Sequence, residues 1–519
     1  MIQEAESSFE SLLGAHDRRV NALVTRVKQF YDEKVAFRLY HGNTNSTRPS
    51  LRSLSQCLDV SHMNHILSVN AETRTCICEP NVSMDTLVDA TLAQGLVPLV
   101  VTEFPGITVG GAFAGTAGES SSWKHGFFDN IVNWCEVILA DGTLRKCSRT
   151  NDPDLFRGLK GTFGSLGVGV LFEIQLQEAK PYVELTYTPI RSGIGGFRSY
   201  MTKLMTEDSH ADRRSQIEFV DGIVFSKTDC VAMEGRIVDE NVHDEALLKV
   251  NFDGPWDDWF YLHAMNVLTT LSTGNTKNEH KELIPIKSYL FRYDRGAFWT
   301  GKHAYDYFLT PFNRWTRWAL DSFMHTRTMY HALHRSGLMH QFVIQDMALP
   351  WSNAEPFFNW CHDRLNIYPQ WLCPLRIDEN SSGLVPRSLR SDSKSAAPDN
   401  DDGLSNLMLN IGIWGPAPRG SIATNREIEG KLMEMQGLKW LYAQTFYTPE
   451  QFWTIYDEEA YRDLRRRCQA ETLPDVYAKV GGTGMNAARG LVGAWRLWPL
   501  AGLYGVLSCM KGGDYLRKQ

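Results

Sequence analysis

The sequence predicts an α+β fold: a strand-rich ligand-binding domain followed by a larger α+β substrate domain. Three observations carry this. Glycine-rich stretches cluster in the first third of the chain, in Phe37–Pro49, Thr108–Gly126 and Leu159–Leu176. Strand-like runs with turn punctuation fill residues 36–180, among them Thr75–Cys78 and Cys135–Leu139. After Pro181 the texture changes to long aromatic and amphipathic stretches. With 519 residues the chain has room for more than one domain. It divides into a helical lead-in (1–35), a binding domain (36–180), a substrate domain (181–488) and an apolar tail (489–519).

The elements follow in order. In the lead-in, Leu12, Leu13, Val20, Leu23, Val24 and Val27 recur near helical spacing. Ser83–Gln94 reads as a helix, with Ser83 as N-cap and Gly95 as the stop. Leu159–Leu176 runs from glycines into a strand of alternating apolar residues. Ser381–Ser405 is rich in Ser, Asp, Asn and Pro, which predicts a mobile surface loop inside the substrate domain.

The glycine loops carry the chemistry. TVGGAFAGTAGESSSWKHG (108–126) holds Gly110, Gly111, Gly115, Gly118 and Gly126, with no Lys or Arg before Lys124. A residue without a Cβ lets the backbone come within hydrogen-bonding distance of a ligand. Successive bare N–H groups make an anion-binding concavity. Such a loop suits a buried diphosphate, although tight turns use the same glycines. Upstream, Gly42 leads into Asn43, Thr44, Asn45, Ser46 and Thr47, a second loop of this kind. Downstream lie Gly161, Gly164, Gly167 and Gly169. The chain has no GxxxxGK[ST], and the GxGxxG spacing within a βαβ unit is missing, so neither a P-loop nor a Rossmann turn fits.

Composition narrows the class. Hydrophobic residues make up 43% and charged residues 22%, which is ordinary for a globular protein. A net charge of −7 gives no electrostatic case for nucleic acid. The 25 Phe, 19 Tyr and 15 Trp suit a well-filled core or an aromatic-lined pocket for a large apolar substrate. Ten cysteines without paired spacing read as reduced thiols, and no histidine pair finds a third ligand, so no metal site is expected.

EFPGITVGG, GTAGESSSWKHG and VILADGTLRKC, followed by LKGTFGSLGVGVLFEI, resemble the FAD-binding domain of the vanillyl-alcohol oxidase/p-cresol methylhydroxylase (PCMH-type) superfamily. CEPNVSMDTL, VIQDMALP, IYPQWLCP, LYAQTFYTPEQFW and LPDVYAKV resemble the Δ24-sterol reductase family within it. The resemblance runs from about residue 37 to about residue 480. It implies a two-subdomain FAD-binding domain with a cap domain over it. It implies also that FAD carries hydride from NADPH to an isolated alkene at the end of a sterol or terpenoid side chain. For the cofactor it points to Gly42, Asn43, Thr44, Asn45 and Ser46 of the first loop. From the central stretch it takes Thr108, Val109, Gly110, Gly111, Gly115 and Thr116, then Gly118, Glu119, Ser120, Ser121, Ser122 and Gly126, and beyond these Gly164, Gly167 and Val168. Covalent members attach the flavin through a His in the first loop, sometimes with a Cys in the second. Residues 43–47 hold no His and 119–123 no Cys, so FAD is expected without a covalent link. An oxidase, dehydrogenase or isomerase of the same fold is the alternative, and a non-catalytic sterol-binding protein a third.

An unpolarised alkene needs an acid and a dry, electron-rich pocket. Glu103 precedes the central loop and His125 lies within it. Asp346 is a carboxylate inside an apolar strand-like run, either paired with an Arg or neutral and able to give a proton. Tyr447 and Tyr442 are the alternative acids. Tyr368, Trp371, Tyr442 and Phe446 are candidates for the substrate wall, and Arg292 and Arg295 for a nicotinamide phosphate or the FAD diphosphate. Leu491–Met510 is nearly all apolar but carries Arg496 and Pro499. An in-plane or monotopic membrane contact is expected there, with a buried helix, an oligomer contact or a true span as alternatives. The family is anchored by an N-terminal transmembrane segment, which MIQEAESSFE does not provide. The expected location is the cytosolic face of the endoplasmic reticulum membrane, with the cytoplasm as alternative.

Overall fold

The computed structural model describes residues 2–42, 46, 54–207, 210–240, 247–273, 278–377, 384, 386, 404, 406–481 and 498–512. The helix Ile2–Asp32 opens the chain and buries Val20, Leu23, Val27 and Phe30 on one face. That face packs into the same core as the first sheet. The sheet runs in the order Ile66–Asn70, Thr75–Cys78, Gly167–Glu178, Val132–Leu139, Leu144–Ser148, with Leu96–Pro98 pairing to the long Gly167–Glu178 strand. Cys76 and Cys78 are both buried, as period-two alternation requires. Across the next hairpin, Cys135 and Cys147 face each other with their sulfurs 3.5 Å apart.

The helix expected at 83–94 spans Met84–Leu92, and Gly95 adopts φ +70° just beyond it. Ser83 holds the N-cap position, but its hydroxyl donates to the Asp85 carboxylate instead of accepting from the helix. A negative side chain within the first turn outcompetes the backbone for it.

Past Glu178 the chain enters a second sheet at Tyr182. Its order is Leu248–Lys249, His280–Pro285, Tyr182–Ile190, Cys230–Val238, Phe219–Val224, Gln370–Arg376, Leu407–Pro416, Phe342–Pro350, Leu438–Lys439. One face is covered by the helices Gly193–Thr206, Ala354–Arg364 and Ser421–Glu434, through Phe197, Phe357, Phe358 and Leu432. The other face turns toward the first domain. Strand alternation sorts the side chains: Val343, Met347 and Leu349 go to the helical layer, while Ile344 and Asp346 go to the interior cavity. In the same way Leu409, Ile411 and Ile413 face the helices, and Asn410 and Trp414 face the cavity.

The helices Pro449–Ile455, Glu458–Arg467 and Val476–Val480 return to the first domain. Tyr461 donates to the Ser165 hydroxyl at 2.7 Å, Arg465 to the Ser165 carbonyl at 2.8 Å, and Lys479 to the Gly164 carbonyl at 2.8 Å. Residues 449–480, assigned from sequence to the substrate domain, thus pack as part of the binding domain. Most of the loop expected at 381–405, and residues 489–497 and 513–519 of the tail, lie outside the described residues.

Candidate functional site

A cavity of about 620 Å³ lies between the two domains. One wall is the central glycine stretch, contributing Thr108, Gly111, Gly115 and Gly118. Thr108 caps the helix Val109–Gly115 by accepting from the Gly111 N–H at 3.2 Å. A Cβ on Gly111 would stand 3.1 Å from that hydroxyl, so glycine spares the cap a tight contact. The opposite wall is the second sheet, presenting Asp346, Asn410, Trp371 and Trp414.

Aromatic rings dominate the space between. Phe298 stacks on Tyr293 at 4.0 Å between ring centres and lies 4.3 Å from Trp414. Gly296, Ala297 and Phe298 have φ of +81°, +45° and +62°. Two non-glycine residues in the left-handed region mark strain held by surrounding packing. Trp371 donates its indole N–H to Asp221 at 3.0 Å, and Asp221 is held in turn by Arg292 at 2.9 Å and Tyr293 at 2.7 Å. Arg292 is therefore spent on positioning an aromatic wall. Arg295 pairs with Asp321 at 2.8 Å. The sequence expectation that these arginines meet a phosphate is corrected: both are buried with internal partners.

Two acids face the cavity. Burial pushes the Glu103 carboxyl well up, and the Glu119 charge pushes it further. Burial also raises Asp346, against the opposing hydrogen bonds from Tyr442 and Asn410. Asn410 donates to Oδ1 of Asp346 at 3.0 Å, and the Tyr442 hydroxyl bonds Oδ2. Tyr442 is itself held well above the usual phenol range by burial and the Asp346 charge. The pair is a buried tyrosine–carboxyl hydrogen bond on an apolar wall.

Residues 18–148 match a family model described as FAD binding domain. A Delta(24)-sterol reductase of Arabidopsis thaliana is 29% identical over 450 residues, covering 81% of this chain and 76% of that protein. The Homo sapiens Delta(24)-sterol reductase is 27% identical over 477 residues, covering 90% and 86%. A Delta(24)-sterol reductase homolog of Caenorhabditis elegans is 26% identical over 513 residues, covering 92% and 90%. The chain is similar over most of its length to these Delta(24)-sterol reductases and carries an FAD-binding domain. It is an FAD-dependent oxidoreductase.

The walls of the cavity fit an FAD. Thr102 Oγ1, Glu103 Oε1 and Asn410 Oδ1 are buried on the cavity surface with no hydrogen-bond partner among the described residues. Glycines floor the side where backbone must approach a ligand. Ser46 of the first loop reaches the cavity, where it donates to the Tyr442 carbonyl at 2.8 Å. Asn43, Thr44 and Asn45 lie outside the described residues.

Several sequence candidates sit elsewhere. Gly42 has φ +81° and packs on Ser61. Val109 is fully buried, and a Cβ on Gly110 would meet Pro80 at 2.8 Å. Thr116 adopts a left-handed φ and accepts from the Trp440 indole at 2.8 Å through its carbonyl. Glu119 is buried and accepts from Ser120 and Ser121, while the Ser122 hydroxyl accepts from the Glu119 N–H at 2.9 Å. The Val220 N–H donates to the Ser120 carbonyl at 2.7 Å, and His125 bonds Glu218 at 2.6 Å. Residues 119–126 thus strap the two domains together, with Gly126 pressed on Asn130. Gly164 turns under Lys479, while Gly167 and Val168 begin the long strand, where a Cβ on Gly167 would meet the Ile138 carbonyl at 2.7 Å.

Of the aromatic candidates, Trp371 and Tyr442 line the cavity. Tyr447 is buried beside the Lys439–Glu429 pair, with the Lys439 ammonium 5.8 Å from its ring centre, and the Phe446 N–H donates to Glu429 at 3.0 Å. Tyr368 bonds His362 at 3.0 Å on the helical side of the sheet. Sequence reasoning missed Asn410, Trp414, Tyr330 and Phe298. Asn410 had a usable signal, since it interrupts the apolar strand LMLNIGIWGP as Asp346 interrupts VIQDMALP.

Proposed function

We propose that the enzyme reduces an isolated alkene in the side chain of a sterol or sterol-like terpenoid, with FAD as bound cofactor and NADPH as reductant. The observation that carries this reading is the buried, hydrogen-bonded Asp346–Tyr442 pair on the apolar wall of a cavity whose facing wall is the glycine stretch. The names of the curated relatives supply the alkene. Thr108, Gly111, Gly115, Gly118 and Ser46 would hold the FAD, which supplies hydride chemistry when bound.

The protein's own residues supply the proton. Oδ1 of Asp346 accepts from Asn410 and Oδ2 accepts from the Tyr442 hydroxyl; when the carboxyl takes up a proton on Oδ2, the Tyr442 O–H is freed to turn toward the cavity. Asp346 can then donate to Tyr442 while the Tyr442 O–H delivers its proton to the alkene. Protonation at the CH carbon leaves cation character on the dimethyl carbon, and the faces of Trp371, Trp414 and Phe298 are electron-rich toward such charge. The hydride ends on the dimethyl carbon, NADPH is oxidised, and solvent restores the proton to Asp346. Glu103 is a second buried acid lining the cavity, its carboxyl pushed well up by burial, and the aromatic packing excludes water.

For an apolar substrate the proposed location is the cytosolic face of the endoplasmic reticulum membrane, peripheral or monotopic, with the cytoplasm as the alternative. The test is anaerobic mixing with NADPH while flavin absorbance is followed, then addition of a sterol alkene in D2O under single-turnover conditions. Flavin should bleach with NADPH and recover with alkene, and deuterium should appear on the CH carbon. Flavin that NADPH leaves oxidised, or alkene returned isomerised, rejects the reading.

A further inference from the structure

The helix Leu500–Gly512 shows apolar side chains on two opposite sides. Its inner side gives Gly502, Val506 and Cys509 to the cavity wall. Its outer side carries Leu503, Leu507 and Met510, which are 43%, 52% and 43% exposed. The spacing i, i+4, i+7 aligns them in one stripe. Trp498, 57% exposed, extends the stripe at one end and donates its indole N–H to the Tyr307 carbonyl at 2.6 Å. Leu309, two residues on, is 75% exposed.

Two glycines seat the helix. A Cβ on Gly502 would stand 2.5 Å from the Tyr307 ring, and one on Gly505 would stand 2.5 Å from the Ala332 carbonyl. Cys509 contacts the Thr328 carbonyl at 3.5 Å. The helix therefore lies antiparallel on Thr326–Ser336 and against Gly301–Tyr307, and all three helices give residues to the cavity lining.

Charge says what covers the outer face. Arg335 stands beside Ser336, on which Gly505 packs, and Lys511 follows Met510. Both are exposed, and neither has a carboxylate within ion-pair distance among the described residues. An apolar stripe framed by basic groups, on a protein of net charge −7, fits headgroup phosphates over acyl chains. A 13-residue helix is about 20 Å long, short of a roughly 30 Å hydrocarbon core. No helix among the described residues is long and apolar enough to cross a membrane. The fitting geometry is in-plane.

We propose that this outer face docks on a bilayer containing anionic lipid, and that an apolar ligand passes from the bilayer into the cavity along the seams of the Leu500–Gly512 helix. The ligand part rests on the sterol-like substrate proposed above; the docking part does not. The test uses full-length, FAD-loaded protein and flotation with phosphatidylcholine vesicles, with and without phosphatidylserine. The parent should float, more strongly with phosphatidylserine. Leu503→Glu/Leu507→Glu should lose flotation at least tenfold while keeping FAD content and NADPH-driven flavin reduction. Its turnover of vesicle-embedded alkene should fall by a similar factor, with turnover of alkene delivered on cyclodextrin unchanged. Arg335→Glu/Lys511→Glu, which leaves the apolar stripe intact, should abolish the response to phosphatidylserine. A double-Glu variant that floats like the parent overturns the proposal. So does a parent dimer that this variant dissociates, since the face would then meet a second copy. Flotation lost as expected in an enzyme that reduces no alkene supports docking and rejects the substrate reading alone.

Discussion

Gly412 lies directly across the ladder from Asp346, and a Cβ on Gly412 would stand 2.8 Å from the Asp346 Oδ1. The carboxyl occupies the space the missing side chain leaves, and from there it meets Asn410 on one oxygen and Tyr442 on the other. Trp414 closes the same gap, 2.6 Å from that Cβ position. Gly412→Ala should push the carboxyl or the indole out of place. Alkene turnover should fall about tenfold, equivalent to about 1.4 kcal/mol of barrier. FAD content should stay at the parent's level, because the residue is on the wall away from the glycine stretch. Turnover equal to the parent's would show that the dyad's geometry is not needed.

The protonation state of Asp346 sets a pH limb. Burial raises its pKa in the folded protein, so the carboxyl is neutral at low pH and ionises as pH rises through the raised value. Proton delivery should be full on the acid side and decline on the alkaline side. Asp346→Asn should remove that limb and lower turnover by about 10²-fold, the ordinary range for losing a general acid. Tyr442→Phe should give a similar loss. Glu103→Gln, on the other wall, should leave the limb in place. If the limb follows Glu103→Gln instead, the acid is Glu103.

The sequence made some of this visible and hid the rest for definite reasons. Thr75–Cys78 is the strand expected, and the helix at Met84–Leu92 falls within two residues of its expected ends, because local periodicity and turn residues decide them. Asp346 was legible as a polar break in an apolar strand. Residues 119–126 were not legible: small hydroxyl residues suit a phosphate loop and a domain strap equally, and the partners Glu218 and Val220 lie over ninety residues away. Tyr442 and Tyr447 belong to one aromatic run, yet one faces the cavity and the other the Lys439–Glu429 pair. That choice is made by the path of an irregular segment, which carries no period to read.

FAD should be held without a covalent bond. Residues 43–47 offer no histidine and 119–123 no cysteine. His41, however, reaches the cavity wall. Acid precipitation of the purified protein should release all flavin colour to the supernatant. Yellow colour retained in the pellet, and lost in His41→Ala, would place a covalent link on that imidazole.

Glu79 latches the first helix to the binding domain. Its fully buried carboxylate meets His16 at 2.8 Å, Arg19 at 2.7 Å and the ring and N–H of His65 at 2.9 Å. Burial pushes its pKa up, but the hydrogen bonds from His16, Arg19 and His65 win and hold it at about 2. A carboxylate depressed in the folded state adds stability above its ordinary pKa, and that stability is lost as pH falls toward the folded value. The window here runs from about 4.5 down to about 2. Glu79→Gln keeps the shape and removes the charge, leaving Arg19 without its counter-ion. Arg19 is partly exposed, so the loss is that of the charge-assisted hydrogen bonds, about 1.5–3 kcal/mol. The variant should melt several degrees lower at neutral pH, with faster amide exchange along Ile2–Asp32. Its melting temperature should also fall less steeply than the parent's across the acid window. Parallel pH curves for the two proteins would show that Glu79 does not carry the acid sensitivity of the fold.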